Sequence, residues 1–311
     1  MSEARRGLLL GGSAYALWGL SALYWPLVEP TGPVEIMALR ALWSLVAIMV
    51  LVSAMGRWRR AWRLARGART LALLAAAGTL TAVNWAMFIY AVMNGQVVEA
   101  SLGYFITPLV SVAFGVIVFR ERLRRWQWAA IALGAATVLI LSVDYGRPPW
   151  IALGLAVTFG TYGLIKKHLN AGAAESLLVE TAILFPFALV YTLVLQFTGN
   201  ATFGHVSAAN TALGIGSGLV MLLPVLLFSA AATRVPLTTI GLLQYIEPAV
   251  QFLIGLLVFH EEMPGPRWAG FALLWAALAV LAVDGLRARR RASTSAVAGT
   301  AEGYDLRAPS P

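Results

Sequence analysis

Apolar residues in this chain come in ten long runs, at approximately 7 to 25, 34 to 55, 70 to 93, 98 to 119, 126 to 143, 150 to 165, 176 to 197, 211 to 232, 238 to 259 and 268 to 286. A bilayer core takes roughly 20 residues of helix, so runs of this length predict membrane-spanning helices. The chain is expected to be an all-α integral membrane protein with ten transmembrane helices.

The pattern repeats. Residues 99 to 144 and 239 to 284 align without a gap at an offset of 140, with 16 identities in 46 positions. Apolar composition produces chance matches of Leu and Ala, but not Pro108/Pro248, Glu121/Glu261, Trp128/Trp268 and Asp144/Asp284 in register. The same offset relates Glu35 to Glu175 and Phe88 to Phe228, so the unit is about 140 residues long and fills most of the chain. We expect one five-helix repeat over 7–144 and a second over 150–286. The Ala-, Ser- and Thr-rich segment 287–311 is expected to be a disordered cytoplasmic tail.

Charge then fixes the expected topology. Of 23 Lys and Arg, 20 fall in even-numbered connections or the termini, including six Arg between Arg57 and Arg69. Only Arg147 and Arg267 lie on the opposite side, and Arg40 is inside a span. The excess of basic residues places both termini in the cytoplasm. Five spans per repeat is odd, so the second repeat enters from the opposite side and the repeats are inverted. Inverted repeats meeting near the midplane are a carrier architecture.

Composition agrees: 59% hydrophobic and 12% charged residues exceed what a soluble domain of 311 residues can bury. The net charge of +9 lies mostly on the side expected to face the cytoplasm, as in a basic membrane protein, which argues against nucleic acid as a partner. With no Cys and three scattered His, no metal or cofactor is expected. The basic N-terminus runs into the first apolar segment without a small-residue cleavage site before Pro26, so that segment reads as an uncleaved span.

Candidate functional residues come from polar positions at membrane depth. Gln244, Glu247 and Gln251 share one face of the ninth span, and Tyr104, Thr107 and Ser111 occupy the equivalent positions of the fourth. Two such stripes are read as walls of one substrate pathway, against the alternative of interhelical hydrogen bonds that hold the bundle. Pro108 and Pro248, near the middle of those spans, each delete a backbone donor and predict kinks that could gate. Arg40 and Glu180 are equivalent under the offset and are expected to face each other as a buried ion pair, or to open for a charged substrate. Trp18, Tyr162 and Asn84 are further candidates for the pathway. Glu247, lacking an evident partner, is the candidate for proton coupling. Glu35, Glu99 and Glu175, near span ends, are expected to be solvated caps, and the small residues Gly214 and Gly218 to pack helices.

EASLGYFITPLV at Glu99, Phe-x-Glu-Arg at Phe119 to Arg122, AATR at Ala231, GLLQYIEP at Gly241 and the late Glu261 resemble the RarD family of EamA-type drug/metabolite transporters, over about residues 7 to 286. The resemblance implies ten helices in two EamA repeats, a multi-pass protein of the bacterial inner membrane, and export of a metabolite or drug. Arg40, Glu180, Tyr104 and Gln244 fall at positions that match the family. The reading is therefore a secondary transporter, not an enzyme, of a small organic solute by alternating access, with the lipid bilayer and protons as its other partners and a homodimer left open. Its rivals are an intramembrane enzyme acting on a lipid-linked substrate, which would need a mid-span nucleophile, base or metal ligands, and a receptor or scaffold, which would not require inverted duplication.

Reporter fusions after Arg69 and after Gly146 are expected to report opposite sides of the membrane. A common side for both would refute the ten-span inverted topology.

Overall fold

The computed structural model describes residues 2–120, 123–169 and 171–305, the side chains at 115, 118, 119, 167, 237, 238 and 286–305 excepted. Glu121 and Arg122 of the Phe-x-Glu-Arg motif lie outside the described residues, as do residues 306–311. Twelve α-helices are present among the described residues: α1 (Glu3–Leu20), α2 (Pro33–Ala54), α3 (Trp58–Arg66), α4 (Ala68–Met93), α5 (Val97–Phe119), α6 (Arg125–Tyr145), α7 (Trp150–Leu169), α8 (Ala173–Phe197), α9 (Ala208–Ala232), α10 (Leu237–Leu243), α11 (Ile246–Leu257) and α12 (Gly265–Asp305). No strand occurs among them.

Eight segments are long and apolar enough to cross a membrane. The two expected spans missing from that set are α1, whose first turns hold Glu3, Arg5 and Arg6, and α7, whose apolar part is the shorter stretch Trp150–Lys166. At 1.5 Å per residue the 18 residues of α1 still extend about 27 Å. The ninth expected span is two helices, α10 and α11, interrupted at Gln244–Tyr245, four to three residues before Pro248. Pro248 has no N–H to offer the Gln244 carbonyl, and the hydrogen-bond ladder is interrupted there while Gln244 and Tyr245 keep right-handed helical backbone angles. In α5 the helix continues through Pro108. The residue before each proline differs: the Thr107 hydroxyl donates to the Gly103 carbonyl at 3.1 Å, and Glu247 accepts from Gln251. At the other end of the chain, α12 runs helical to Asp305, so the segment expected to be disordered from 287 is helix that far. Its Ala and Arg residues are strong helix formers continuing a helix already nucleated.

The chain forms two compact units that do not follow the repeat boundaries. One comprises residues 1–111 and 149–263; the other comprises 112–148 and 264–311. Each therefore takes helices from both halves of the sequence. In the larger unit, α1 packs on α9 and α11, α4 on α7 and α8, and α2 on both α8 and α9. These are contacts between halves, and they come in equivalent sets. Gly78 of α4 lies so close to α8 that a Cβ would be 3.2 Å from the Glu180 carbonyl oxygen. Gly218 of α9, its equivalent at the offset of 140, lies closer still to α2, with a Cβ 2.5 Å from the Trp43 carbonyl carbon. Gly214, one turn earlier, faces Leu39 and Phe203. The expected packing role of the small pair in GIGSGL is what the structure shows. The core of this unit gathers Trp25, Ile36, Phe88, Leu155 and Ile254.

The smaller unit is organised by α6 and α12, which run antiparallel. Thr137 donates to the Gly270 carbonyl at 3.2 Å, Arg267 meets Asp144 at 2.7 Å, and Arg124 meets Asp284 at 2.7 Å. The two aspartates are repeat equivalents, and each closes on the N-terminal end of the opposite helix. Much of the outer surface is apolar, including Phe187, Phe197 and Val143, which suits a lipid surround.

Glu35, Glu99 and Glu175 are buried rather than solvated. Glu35 accepts from the backbone N–H groups of Thr202 at 2.9 Å and Phe203 at 3.1 Å, and Glu99 from that of Ile151 at 3.2 Å. Glu175 lies 3.6 Å from Arg57. Each carboxylate anchors a distant connection, a role that sequence position near a helix end does not reveal. Glu261 does the same for the start of α5, accepting from Val97 and Val98.

The two glycine contacts differ enough to predict different outcomes. Ala at either position gains about 1 kcal/mol of helix propensity. At Gly78 the neighbour must yield only a few tenths of an ångström, so Gly78→Ala should leave stability nearly unchanged. At Gly218 the obstacle is backbone, and overpacking of about 1–3 kcal/mol should dominate. Thermal unfolding of the purified protein in detergent tests this. Equal melting temperatures for Gly218→Ala and wild type would contradict the close approach of α9 to α2.

Candidate functional site

The candidate residues lie in the larger unit, on α1, α2, α4, α5, α7, α8 and α11 and at the interruption before α11. Asn84 of α4 is 1% exposed and is the centre of a closed polar network. Its amide donates to the Leu155 carbonyl at 3.0 Å and the Thr158 hydroxyl at 2.8 Å, and its carbonyl accepts from the Tyr104 hydroxyl at 2.9 Å. With both amide hydrogens and the oxygen engaged, Asn84 ties α4 to α5 and α7. Aromatic rings extend this wall. Trp85, Phe88, Tyr104, Phe159 and Tyr162 touch in sequence, each pair of centroids 5.6 to 6.0 Å apart.

The facing elements are α1 and α11. Glu247 accepts a long 3.4 Å hydrogen bond from Gln251, and no cation pairs with it among the described residues. Gln251 is 1% exposed, and its Oε1 has no hydrogen-bond partner. Trp18 packs on Tyr15 and Phe228, and its indole N–H is also buried without a partner. Gly19 lets α1 approach α11 until a Cβ would be 2.9 Å from the Glu247 carbonyl oxygen. Tyr104 is within electrostatic reach of both Glu247 and Arg40, and Tyr15 of Glu247. The structure thus brings Tyr104, Glu247, Arg40 and Asn84 into one neighbourhood. Gln244 falls at the helix interruption, half-buried, and Pro248 is buried just beyond it. Thr107 is bonded back to its own helix, and Ser111 is exposed, so the outer part of the α5 stripe does not join the cluster.

The expected ion pair between Arg40 and Glu180 is not formed. Lys166, from the end of α7, pairs with Glu180 at 2.8 Å and also donates to Ser176. Its flexible four-carbon stem brings the ammonium to a carboxylate on the neighbouring helix. Arg40 is 6% exposed and stacks over Trp85 at 4.1 Å, with Met37 Sδ 3.7 Å from one terminal nitrogen. No carboxylate lies within 4.0 Å of its guanidinium among the described residues. Arg40 and Glu180 nevertheless line the same cavity, of about 330 Å³, together with Ser44 and Thr181.

Sequence reasoning missed Lys166, which it counted only as a loop charge, and Ser44 and Thr158. Ser44 carries a signal, since it lies one turn after Arg40 on the same face of α2. Lys166 has no polar equivalent in the first repeat, where the offset puts Pro26, so symmetry could not point to it.

Residues 5–143 match the EamA-like transporter family. A protein named RarD from Streptomyces exfoliatus is 52% identical over 93% of this chain and 92% of its own length. A protein of Pseudomonas aeruginosa bearing the name of an uncharacterized transporter is 40% identical over 93% and 97%. A solved crystal structure superposes with a TM-score of 0.58 at 18% identity, covering 88% of this chain and 96% of that one, and it bears on the fold alone. Bundled apolar helices, polar groups gathered at their centre and identity along nearly the whole length agree: this chain is a multi-pass membrane transporter and belongs to the EamA-like transporters, in the RarD family.

Proposed function

We propose that the protein is a secondary carrier that exports a small organic solute, a metabolite or drug, by alternating access, with ten spans in two inverted repeats and both termini in the cytoplasm. The observation that carries this reading is the interrupted ninth span. Discontinuous helices with unpaired polar groups near the repeat interface are where carriers hold solute and coupling ion. Here the break at Gln244–Tyr245 is followed within two turns by Glu247 and by Gln251, whose carbonyl oxygen is buried and unbonded.

Topology has its own support. In a ten-span chain, connections alternate between two faces, and polar contacts between distant ends can join only connections on the same face. Arg57 with Glu175, Arg234 with Glu3, and Arg124 with Asp284 all pair positions that belong inside under this count. Glu35 with Thr202, Glu261 with Val97, and Arg267 with Asp144 all pair positions that belong outside. The antiparallel course of the repeat-equivalent α6 and α12 supports inversion in the same way. The interhelical hydrogen bonds of Asn84 favour a structural role for that residue, at about 1 kcal/mol per bond. Pro248 is then the better candidate for a gating bend than Pro108.

Glu247 is the group we assign to proton coupling. It faces Gln251 on its own helix, Tyr15 from α1 and Tyr104 from α5, with no neighbouring cation to hold it charged. Glu247→Gln keeps shape and hydrogen bonding but cannot titrate. In liposomes with an imposed pH gradient, the variant should lose gradient-driven accumulation, down to the level of protein-free liposomes, while equilibrium solute binding survives. Proton-driven accumulation by the variant would remove Glu247 from the coupling role. Downhill movement alone in wild type would make the protein a facilitator.

A further inference from the structure

The cavity bounded by α2, α4, α8 and α9 contains more unmet polar capacity than a packing defect should. Three of its lining side chains hold a buried polar atom without a hydrogen-bond partner: Arg40 Nε, Ser44 Oγ and Glu180 Oε2. Arg40 and Ser44 are one turn apart, so both donors point from the same face of α2. Buried polar groups are almost always satisfied, and a cluster that is not satisfied by protein awaits a ligand or ordered water. The guanidinium lies over Trp85 and one terminal nitrogen makes only a long contact to Met37 Sδ, so Nε is left without a partner, and the forked donors of a guanidinium match the two oxygens of a carboxylate.

Charge selects the ligand further. Lys166 already neutralises Glu180, leaving the Arg40 guanidinium as the one net charge on the cavity. The remaining lining is mainly apolar, with Met37, Leu177, Leu184, Tyr191 and Met221 around the polar end and the exposed Phe187 at the mouth. A dianion would bring one charge too many into this setting. A neutral solute would leave the guanidinium unpaired.

Building on the carrier reading, we infer that this cavity is a binding site for a small monocarboxylate with an apolar body, its carboxylate held by Arg40 and Ser44. Glu180 Oε2 is available to accept a hydrogen bond from a hydroxyl on the same solute. The cavity volume accommodates an aryl- or alkyl-carboxylate of modest size.

The test measures equilibrium binding to the full-length protein in nanodiscs by isothermal titration calorimetry. Probes are 3-phenylpropanoate and hexanoate, their primary amides, and phenylalanine as the zwitterion of the same aryl skeleton. A carboxylate should bind at least about tenfold more tightly than its amide, the worth of a charge-assisted bond. Ser44→Ala should weaken carboxylate binding several-fold and leave amide binding unchanged. Arg40→Gln should abolish the discrimination between acid and amide, and Arg40→Lys, which keeps the charge but not the fork, should retain part of it. Because Arg40 variants can fail to fold, Ser44→Ala alone is sufficient to decide. Amides binding as well as acids, phenylalanine binding better than phenylpropanoate, no carboxylate binding at millimolar concentration, or an unaffected Ser44→Ala would each overturn the assignment. Equilibrium binding needs no transport cycle. Carboxylate binding that survives a failure of proton-driven transport would leave this site standing while the coupling reading falls.

Discussion

The structure depends on helices of one half of the chain approaching helices of the other to backbone distance. Gly218 lies against the α2 backbone at Trp43 and Ser44, and Gly78 against α8 at Glu180. In a bilayer, apolar side chains gain nothing by leaving lipid for protein, so close backbone approach and dispersion must supply most of the association. The consequence is extensive packing between the two halves. The main contacts run from α1 to α9 and α11, from α2 to α8 and α9, and from α4 to α7 and α8. A sequence repeat here is an evolutionary and symmetry unit, whereas the physical units each draw on both copies.

That distinction explains what was legible in the sequence. The all-helical class and the approximate positions of the apolar helices followed from apolar run length, because lipid forces every spanning segment to satisfy its backbone internally. The repeat followed from Pro, Glu, Trp and Asp in register, and the spacing of the small residues Gly214 and Gly218 pointed to the helix packing they take part in. The break before α11 was foreshadowed by Pro248, but the intact helix at Pro108 was not. A missing donor does not by itself break a helix, and the residue before the proline, Thr107 in one copy and Glu247 in the other, is a local difference between them.

Partners across the bundle were less legible. Symmetry placed Arg40 and Glu180 at equivalent positions, and equivalence was read as opposition. Two groups at equivalent positions of a sequence repeat can line one cavity without touching, which is what these do. The actual partner of Glu180, Lys166, breaks the symmetry and had no counterpart to reveal it. The glutamates near helix ends erred in the other direction. Exposed caps and buried anchors have the same sequence signature, and only the return of a distant loop, such as Thr202 onto Glu35, separates them.

Arg40 and Lys166 show two ways of keeping a cation at membrane depth, and their energetics differ. Lys166 and Glu180 cancel each other's charge, so separating them would strand two ions, and that part of the bundle should stay closed. Arg40 has only a ring face and a thioether. A desolvated cation–π contact contributes about 2 kcal/mol, against roughly 2.5–3.5 kcal/mol for an arginine at the centre of a spanning helix. The ring contact offsets most of the cost and leaves Nε without a partner. A fully paired arginine would be more stable and of no use to a solute, whereas this one retains a small energetic deficit that an arriving anion removes. On the binding site inferred above, binding energy would be concentrated at α2, the helix in contact with both α8 and α9.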